Sequence, residues 1–283
     1  MHVARAEHGA PAAVRALASQ VHPVFMLPPL AASGFGSVLV GEFSVAIGVL
    51  HMTAIFAAVY TAHVKDGYVD FYRRGEDDDH PMTEYGCTLA LGGATALFFT
   101  CLIGLLLLVD WVAAALTLPC WLIAYHHAPQ LDMNPVTATL GYPAGIALAI
   151  LGGYYAQATT LSPIAVAFAL VFLVLLAGVK IIDDEQDYEY DRSIEKRTVA
   201  VVLGRKRART AAFSLLSLAV LLVVTFVALS VFPRGSVLAA GAFATVAAIA
   251  HRADSELATM LLIRGSYVFL ALLLVAVWFR PFS

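Results

Sequence analysis

"PIAVAFALVFLVLLAGVKIIDDEQDYEYDRSIEKRT", residues 163–198, joins two chemically opposed segments without a spacer. Residues 163–179 carry no charge at all, and the thirteen positions from Asp183 to Glu195 then hold seven carboxylates. An uncharged run of nearly the ~20 residues that cross a bilayer reads as a membrane span, ending where the acids begin. The rest of the chain follows suit. Of 283 residues, 60% are hydrophobic and 13% charged, against roughly 25% charged in an ordinary soluble domain. The mean hydropathy of +0.82 points the same way.

Nine apolar segments recur, at about 24–41, 45–63, 86–109, 111–125, 138–157, 163–182, 211–232, 235–250 and 259–279. So many spans exclude a secreted protein carrying one signal peptide. Backbone polar groups in hydrocarbon must bond internally, and alternating strand patterns are absent, so the expected fold is an all-α bundle of nine transmembrane helices forming one membrane domain over 1–283. The fourth segment is short and holds Pro119, and the first holds Pro28 and Pro29. Residues 1–20 lack a signal peptide's charged and apolar regions and are expected to be retained as an N-terminal cytoplasmic segment. Cys87, Cys101 and Cys120 have no ligand spacing and read as small apolar residues.

With nine spans, fourteen Lys and Arg residues fall on the side of the N-terminus, against Arg234 and Arg280 opposite. The positive-inside rule then puts the N-terminus and the long loops in the cytoplasm and the C-terminus outside. The acids share this geography. Fourteen of twenty lie in two loops on that side, 66–84 and 183–195.

Asp183, Asp187 and Asp191 are spaced four apart, and Asp66 and Asp70 repeat the spacing. If the sixth span continues as one helix, the first three form a stripe, and carboxylates one turn apart repel unless a cation lies between them. Magnesium suits such a pair because it takes one or two carboxylates and completes its octahedron with water and phosphate oxygens. Lys65, Arg73, Arg74, Lys180, Arg192, Lys196 and Arg197 interleave with the acids, and a diphosphate held by Mg²⁺ on one side and cations on the other needs both charges. Charge runs between spans are often merely solvated loops, but two such runs on one side, each with four-residue Asp spacing, argue against that reading. The Asp77–Asp79 run, between Gly75 and Pro81, fits a capping loop as well as it fits metal ligation.

"DYEYDRSIEKRTVAVVLG", 187–204, resembles the second Asp-rich motif of the UbiA superfamily of intramembrane prenyltransferases, D-x-x-x-D followed by G-K-R-T, with Glu195 where Gly is usual. "DGYVDFYRRG", 66–75, resembles the first motif, with Asp66 for Asn and Gly67 for Asp. "HPVFMLPPLAASGFGSVLVG", 22–41, and "LGYPAGIALAILGGYYAQ", 140–157, are similar to the family's opening and fifth-helix patterns, with His22 in place of Arg.

The resemblance implies Mg²⁺-dependent transfer of a polyprenyl group from its diphosphate to a lipophilic acceptor within the bilayer, with no nucleic-acid partner. The residues it points to are Asp66, Asp70, Asp183, Asp187 and Asp191 for metal, of which Asp70, Asp187 and Asp191 are the catalytic candidates. Lys65, Arg73, Lys180, Lys196 and Arg197 are the candidates for holding diphosphate, and Tyr68 and Tyr125 for shielding the allylic cation. "AYHHAP", 124–129, and "LGGYYAQ", 151–157, resemble the 1,4-dihydroxy-2-naphthoate branch of quinone biosynthesis, with a glycerophosphate lipid or carotenoid acceptor as the alternative.

Three features stay open on sequence. Arg264 lies inside the last span, where either a function or snorkelling accounts for it. Adjacent His126 and His127 point about 100° apart on a helix and make a poor metal pair. A phosphatidyl-alcohol transferase, suggested by Asp66-Gly67, lacks its further motif residues, and a cation-dependent transporter would place acids near the bilayer midplane, where this chain has almost none.

Overall fold

The computed structural model describes residues 2–6 and 8–280. Among these the chain is helical, with one isolated antiparallel bridge, Ala4 to Met82, and no strand. In chain order the helices are α1 (Ala10–Ala18), α2 (Pro23–Val38), α3 (Val45–Val69), α4 (Glu84–Leu108), α5 (Trp111–His126), α6 (Pro135–Ala158), α7 (Pro163–Gln186), α8 (Tyr188–Ser193), α9 (Val199–Leu203), α10 (Arg205–Ala228), α11 (Ser236–Arg252) and α12 (Ser255–Phe279). Short π-helical segments, Asp70–Arg74 and His127–Leu131, extend α3 and α5.

Each of the nine apolar stretches becomes a helix. Six helices are long and apolar enough to cross a membrane: α3 with its π extension, α4, α6, α7, α10 and α12. Helices α2 and α11 are shorter apolar helices, and α5 carries Pro119 in its interior.

Helix starts are written locally. Thr83, Asp110, Asn134 and Asp254 each accept a backbone N–H of the following turn, and Pro occupies the first turn of α2, α6 and α7, where no N–H is missed. Packing depends on small residues. A Cβ at Gly153 would lie 2.3 Å from the Ser33 carbonyl oxygen, and one at Gly36 2.2 Å from that of Ile150, so α2 and α6 meet backbone to backbone. Helix α7 is the most enclosed span. Its Phe168 and Phe172 pack edge-on against Phe35 of α2 and Phe269 of α12.

The structure corrects one expectation. Asp183, Asp187 and Asp191 do not share a continuous helix, because α7 ends at Gln186, Asp187 leaves helical geometry at φ −92° and ψ 13°, and α8 restarts at Tyr188. Beyond the break, α9 packs against α7.

Candidate active site

The first acidic group is built on the end of α3. Asp66 lies in its last turn and Asp70 opens the π segment, which Gly75 ends at φ 66°, a left-handed position that suits glycine. Arg74 donates to Asp70 at 3.1 Å and to Asp132 at 2.6 Å. Asp132 is buried, and its Oδ1 has no hydrogen-bond partner among the described residues. One guanidinium thus ties the first motif to the α5–α6 connection.

The second group is built on the end of α7. Lys180 Nζ lies 2.8 Å from Asp183 and 2.7 Å from Asp184. Asp184 is buried and its Oδ2 is unpartnered among the described residues, whereas Asp183 stays partly exposed. Across the break, the Asp191 N–H donates to the Asp187 carbonyl at 2.8 Å, and the buried Asp191 carboxylate is ion-paired to Lys196 at 3.3 Å.

Burial, followed by the like charges of Asp183 and Asp191, raises Asp187 above the ordinary carboxylate range. Burial likewise raises Asp191, against the pull of Lys196. Glu185 is occupied elsewhere, by Arg209 at 3.0 Å, whose other nitrogen caps the carbonyls of Ala250 and Ala253 at the end of α11.

Between the two groups opens a cavity of about 710 Å³. Asp66, Asp70, Lys180 and Asp183 line it together, and Ile55, Ala58, Cys120, Ile123 and Leu176 form its apolar walls. Several candidates from the sequence lie outside this lining, Asp187 and Asp191 among them. Lys65 rests its ammonium 4.4 Å from the centre of the Tyr125 ring, and Arg73 sits 5.6 Å from that of Tyr68, so both tyrosines face protein cations. Arg197 is exposed, and Lys196 serves Asp191. Arg264 is exposed and is not among the lining residues, although its neighbours Ile263, Ser266 and Tyr267 are. His126 is exposed while His127 lines the cavity, with burial holding its imidazole below the ordinary histidine range.

Other relations came to light only in three dimensions. Arg74 and Asp132 are partners across 58 positions, and His22, His63 and His80 line the cavity beside Tyr142 and Tyr267. The His22 and His63 rings lie 5.0 Å apart. The sequence signals were Arg74 among the interleaved cations and His22 standing where Arg was expected.

Among the described residues, no three metal-ligating side chains converge on one point. The donor set still fits Mg²⁺. That ion needs only one or two carboxylates, and it takes its remaining ligands from water and phosphate. Clustered, partly desolvated carboxylates such as Asp187, raised by burial and by the like charges of Asp183 and Asp191, are what a hard cation would stabilise.

A model of the UbiA prenyltransferase family matches residues 87–273, a stretch that includes the second acidic group and leaves out the first. No curated protein matches the sequence. Among solved structures, digeranylgeranylglyceryl phosphate synthase is 16% identical over 95% of this chain and 98% of its own, with a TM-score of 0.74. A UbiA homologue from Aeropyrum pernix K1 is 16% identical over 90% of this chain and 98% of its own, with a TM-score of 0.71. A UbiA homologue from Archaeoglobus fulgidus bound to GPP and Mg²⁺ is 18% identical over 94% of this chain and 99% of its own, with a TM-score of 0.65. At these identities the likeness establishes the fold.

Proposed function

Because the chain belongs to the UbiA prenyltransferase family, we propose that it transfers a polyprenyl group from an allylic diphosphate to an aromatic quinone precursor resembling 1,4-dihydroxy-2-naphthoate. The observation that carries this reading is one cavity lined by Asp66 and Asp70 of the first acidic group and by Lys180 and Asp183 of the second, with aliphatic residues in the same lining. The diphosphate belongs at the polar end and the prenyl chain against the walls.

Asp66 and Asp70 on one side, and Asp183, Asp187 and Asp191 on the other, would hold Mg²⁺, which when bound neutralises the diphosphate as the allylic C–O bond breaks. The Archaeoglobus fulgidus homologue bound to GPP and Mg²⁺ supports this assignment. Lys180, steadied between Asp183 and Asp184, presents its charge to the same end. The bonding pair leaves with the diphosphate oxygen, and the acceptor ring supplies the pair for the new C–C bond. The ring then loses a proton to the imidazoles of the cavity, His22, His63 or His127. Aliphatic walls exclude the water that would otherwise trap the allylic centre, and the faces of Phe25, Tyr142 and Tyr267 lie in the same lining to shield it.

The same reading places the protein in the cell membrane, with both acidic groups and the N-terminus cytoplasmic and nine helices spanning. A screen tests the acceptor. Protein in nanodiscs receives Mg²⁺ and geranylgeranyl diphosphate with one acceptor at a time, and prenylated naphthoate is the expected product. Turnover of a glycerophosphate lipid, the alternative that fits the digeranylgeranylglyceryl phosphate synthase, or of a polyene, with none of the naphthoate, would overturn the acceptor assignment alone.

A further inference from the structure

Lys180 Nζ stands between two carboxylates of its own helix, 2.8 Å from Asp183 and 2.7 Å from Asp184. The two acids are adjacent in sequence, so they leave α7 about 100° apart. Their surroundings differ accordingly. Asp183 is 32% exposed and lines the cavity, as Lys180 does, whereas Asp184 is 3% exposed and is not among the lining residues. Asp184 Oδ2 has no hydrogen-bond partner among the described residues, which leaves Lys180 to balance this buried charge.

Nearby acids have cations of their own, Glu185 in Arg209 at 3.0 Å and Asp191 in Lys196 at 3.3 Å. Asp183 and Asp184 share one. A single ammonium cannot cancel both, so the three groups together carry one net negative charge. At like distance a buried, poorly screened carboxylate attracts more strongly than an exposed one. Lys180 is therefore the counter-ion of Asp184 first, and the surplus charge stays on Asp183, at the cavity.

The first acidic group has a similar shape, with Arg74 between buried Asp132 and cavity-lining Asp70. There the cation also joins two elements. Lys180, Asp183 and Asp184 all stand on α7, so their pairing anchors no distant segment and acts on the site through charge.

We propose that Asp184 is a positioning residue of the metal and diphosphate site. By holding Lys180 from the buried side, it leaves the Asp183 carboxylate free for Mg²⁺ and the ammonium free for the diphosphate. The proposal rests on the prenyl-diphosphate reading above. Without Asp184, Lys180 and Asp183 neutralise each other, and the site loses an anionic ligand and a cationic one together.

The test uses the full chain in nanodiscs and trace radiolabelled inorganic pyrophosphate, with binding followed across a Mg²⁺ titration. It reads the Mg²⁺ concentration for half-maximal binding and, at saturating Mg²⁺, the Kd of pyrophosphate. Asp184→Asn should raise the Mg²⁺ requirement by about tenfold to a hundredfold, the usual effect of losing a partner that orients a metal ligand. Adding Lys180→Met to Asp184→Asn releases Asp183 and should return the requirement to near the wild-type value, while pyrophosphate stays weakly bound because the ammonium is gone. Asp183→Asn should raise the requirement as well, and Lys180→Met should not rescue it, since the metal-facing carboxylate itself is lost.

A Mg²⁺ requirement in Asp184→Asn within about twofold of wild type would overturn the proposal. So would a double variant that needs as much Mg²⁺ as Asp184→Asn, because a merely structural defect is not relieved by removing the lysine. If Asp184→Asn yields no folded protein, the double variant, which has no stranded buried charge, decides against wild type by the same measure. Wild-type protein that binds no pyrophosphate at any Mg²⁺ concentration would instead sink the prenyl-diphosphate reading, and this inference with it.

Discussion

Replacing Arg74 by Met removes the guanidinium that joins Asp70 to Asp132 while keeping a side chain of similar length. Arg74 is 15% exposed and Asp132 7%, with contacts of 3.1 Å to Asp70 and 2.6 Å to Asp132. At an effective dielectric of ~20 these separations correspond to gross attractions of about 5 and about 6 kcal/mol, before desolvation is subtracted. Breaking a buried pair and stranding its carboxylate costs ~3–5 kcal/mol, and the partial exposure of Asp70 argues for about 3. Asp132→Asn removes the charge and keeps the shape. A double-mutant cycle in nanodiscs, read by denaturant unfolding, should therefore give a coupling of about 1.5–3 kcal/mol between Arg74 and Asp132. Additivity within ~0.5 kcal/mol would refute the argument that this ion pair anchors the first motif. Activity supplies a second readout: with Asp70 released, Arg74→Met should require more Mg²⁺ for half-maximal transfer.

Asp70→Asn, Asp187→Asn and Asp191→Asn should each cut transfer by about a thousandfold or more with the fold retained, and EDTA should reproduce the loss; full activity in the triple variant excludes a metal–diphosphate site. Asp187 is raised in the folded state and ordinary in the unfolded chain, so the folded protein binds the extra proton, and metal-free stability should rise as pH falls through the folded value. Mg²⁺ competes with that proton, so its affinity should weaken as pH falls, and Asp187→Asn should reduce the pH dependence of both, which melts and Mg²⁺ titrations at descending pH will check. A cysteine placed at Ser193 should resist a membrane-impermeant thiol reagent added outside sealed cells; labelling there would reverse the orientation. Gly153→Leu should abolish folded protein on size-exclusion chromatography because its Cβ meets the Ser33 backbone, whereas Gly93→Ala, with nothing within 4 Å, should behave as wild type.

The helices themselves were legible in the sequence because their cause is local. An uncharged stretch in hydrocarbon has one way to satisfy its backbone, and caps such as Asp110 and Asp254 mark where it starts. The two acidic groups were legible as well, since charge is expelled from the apolar layer and accumulates in the loops.

Their mutual arrangement was not legible, because it depends on which helices pack together. The close approach of α2 to α6 at Gly36 and Gly153 helps shape the cavity, and contacts over long chain separations select among residues that look alike in sequence. Arg74 finds Asp132, Lys180 is held between Asp183 and Asp184, and the tyrosines chosen from sequence, Tyr68 and Tyr125, turn to Arg73 and Lys65 while Tyr142 and Tyr267 line the cavity. The break at Asp187 was not legible either. Four-residue spacing promises a stripe only while the helix continues, and α7 ends at Gln186 with α8 restarting at Tyr188.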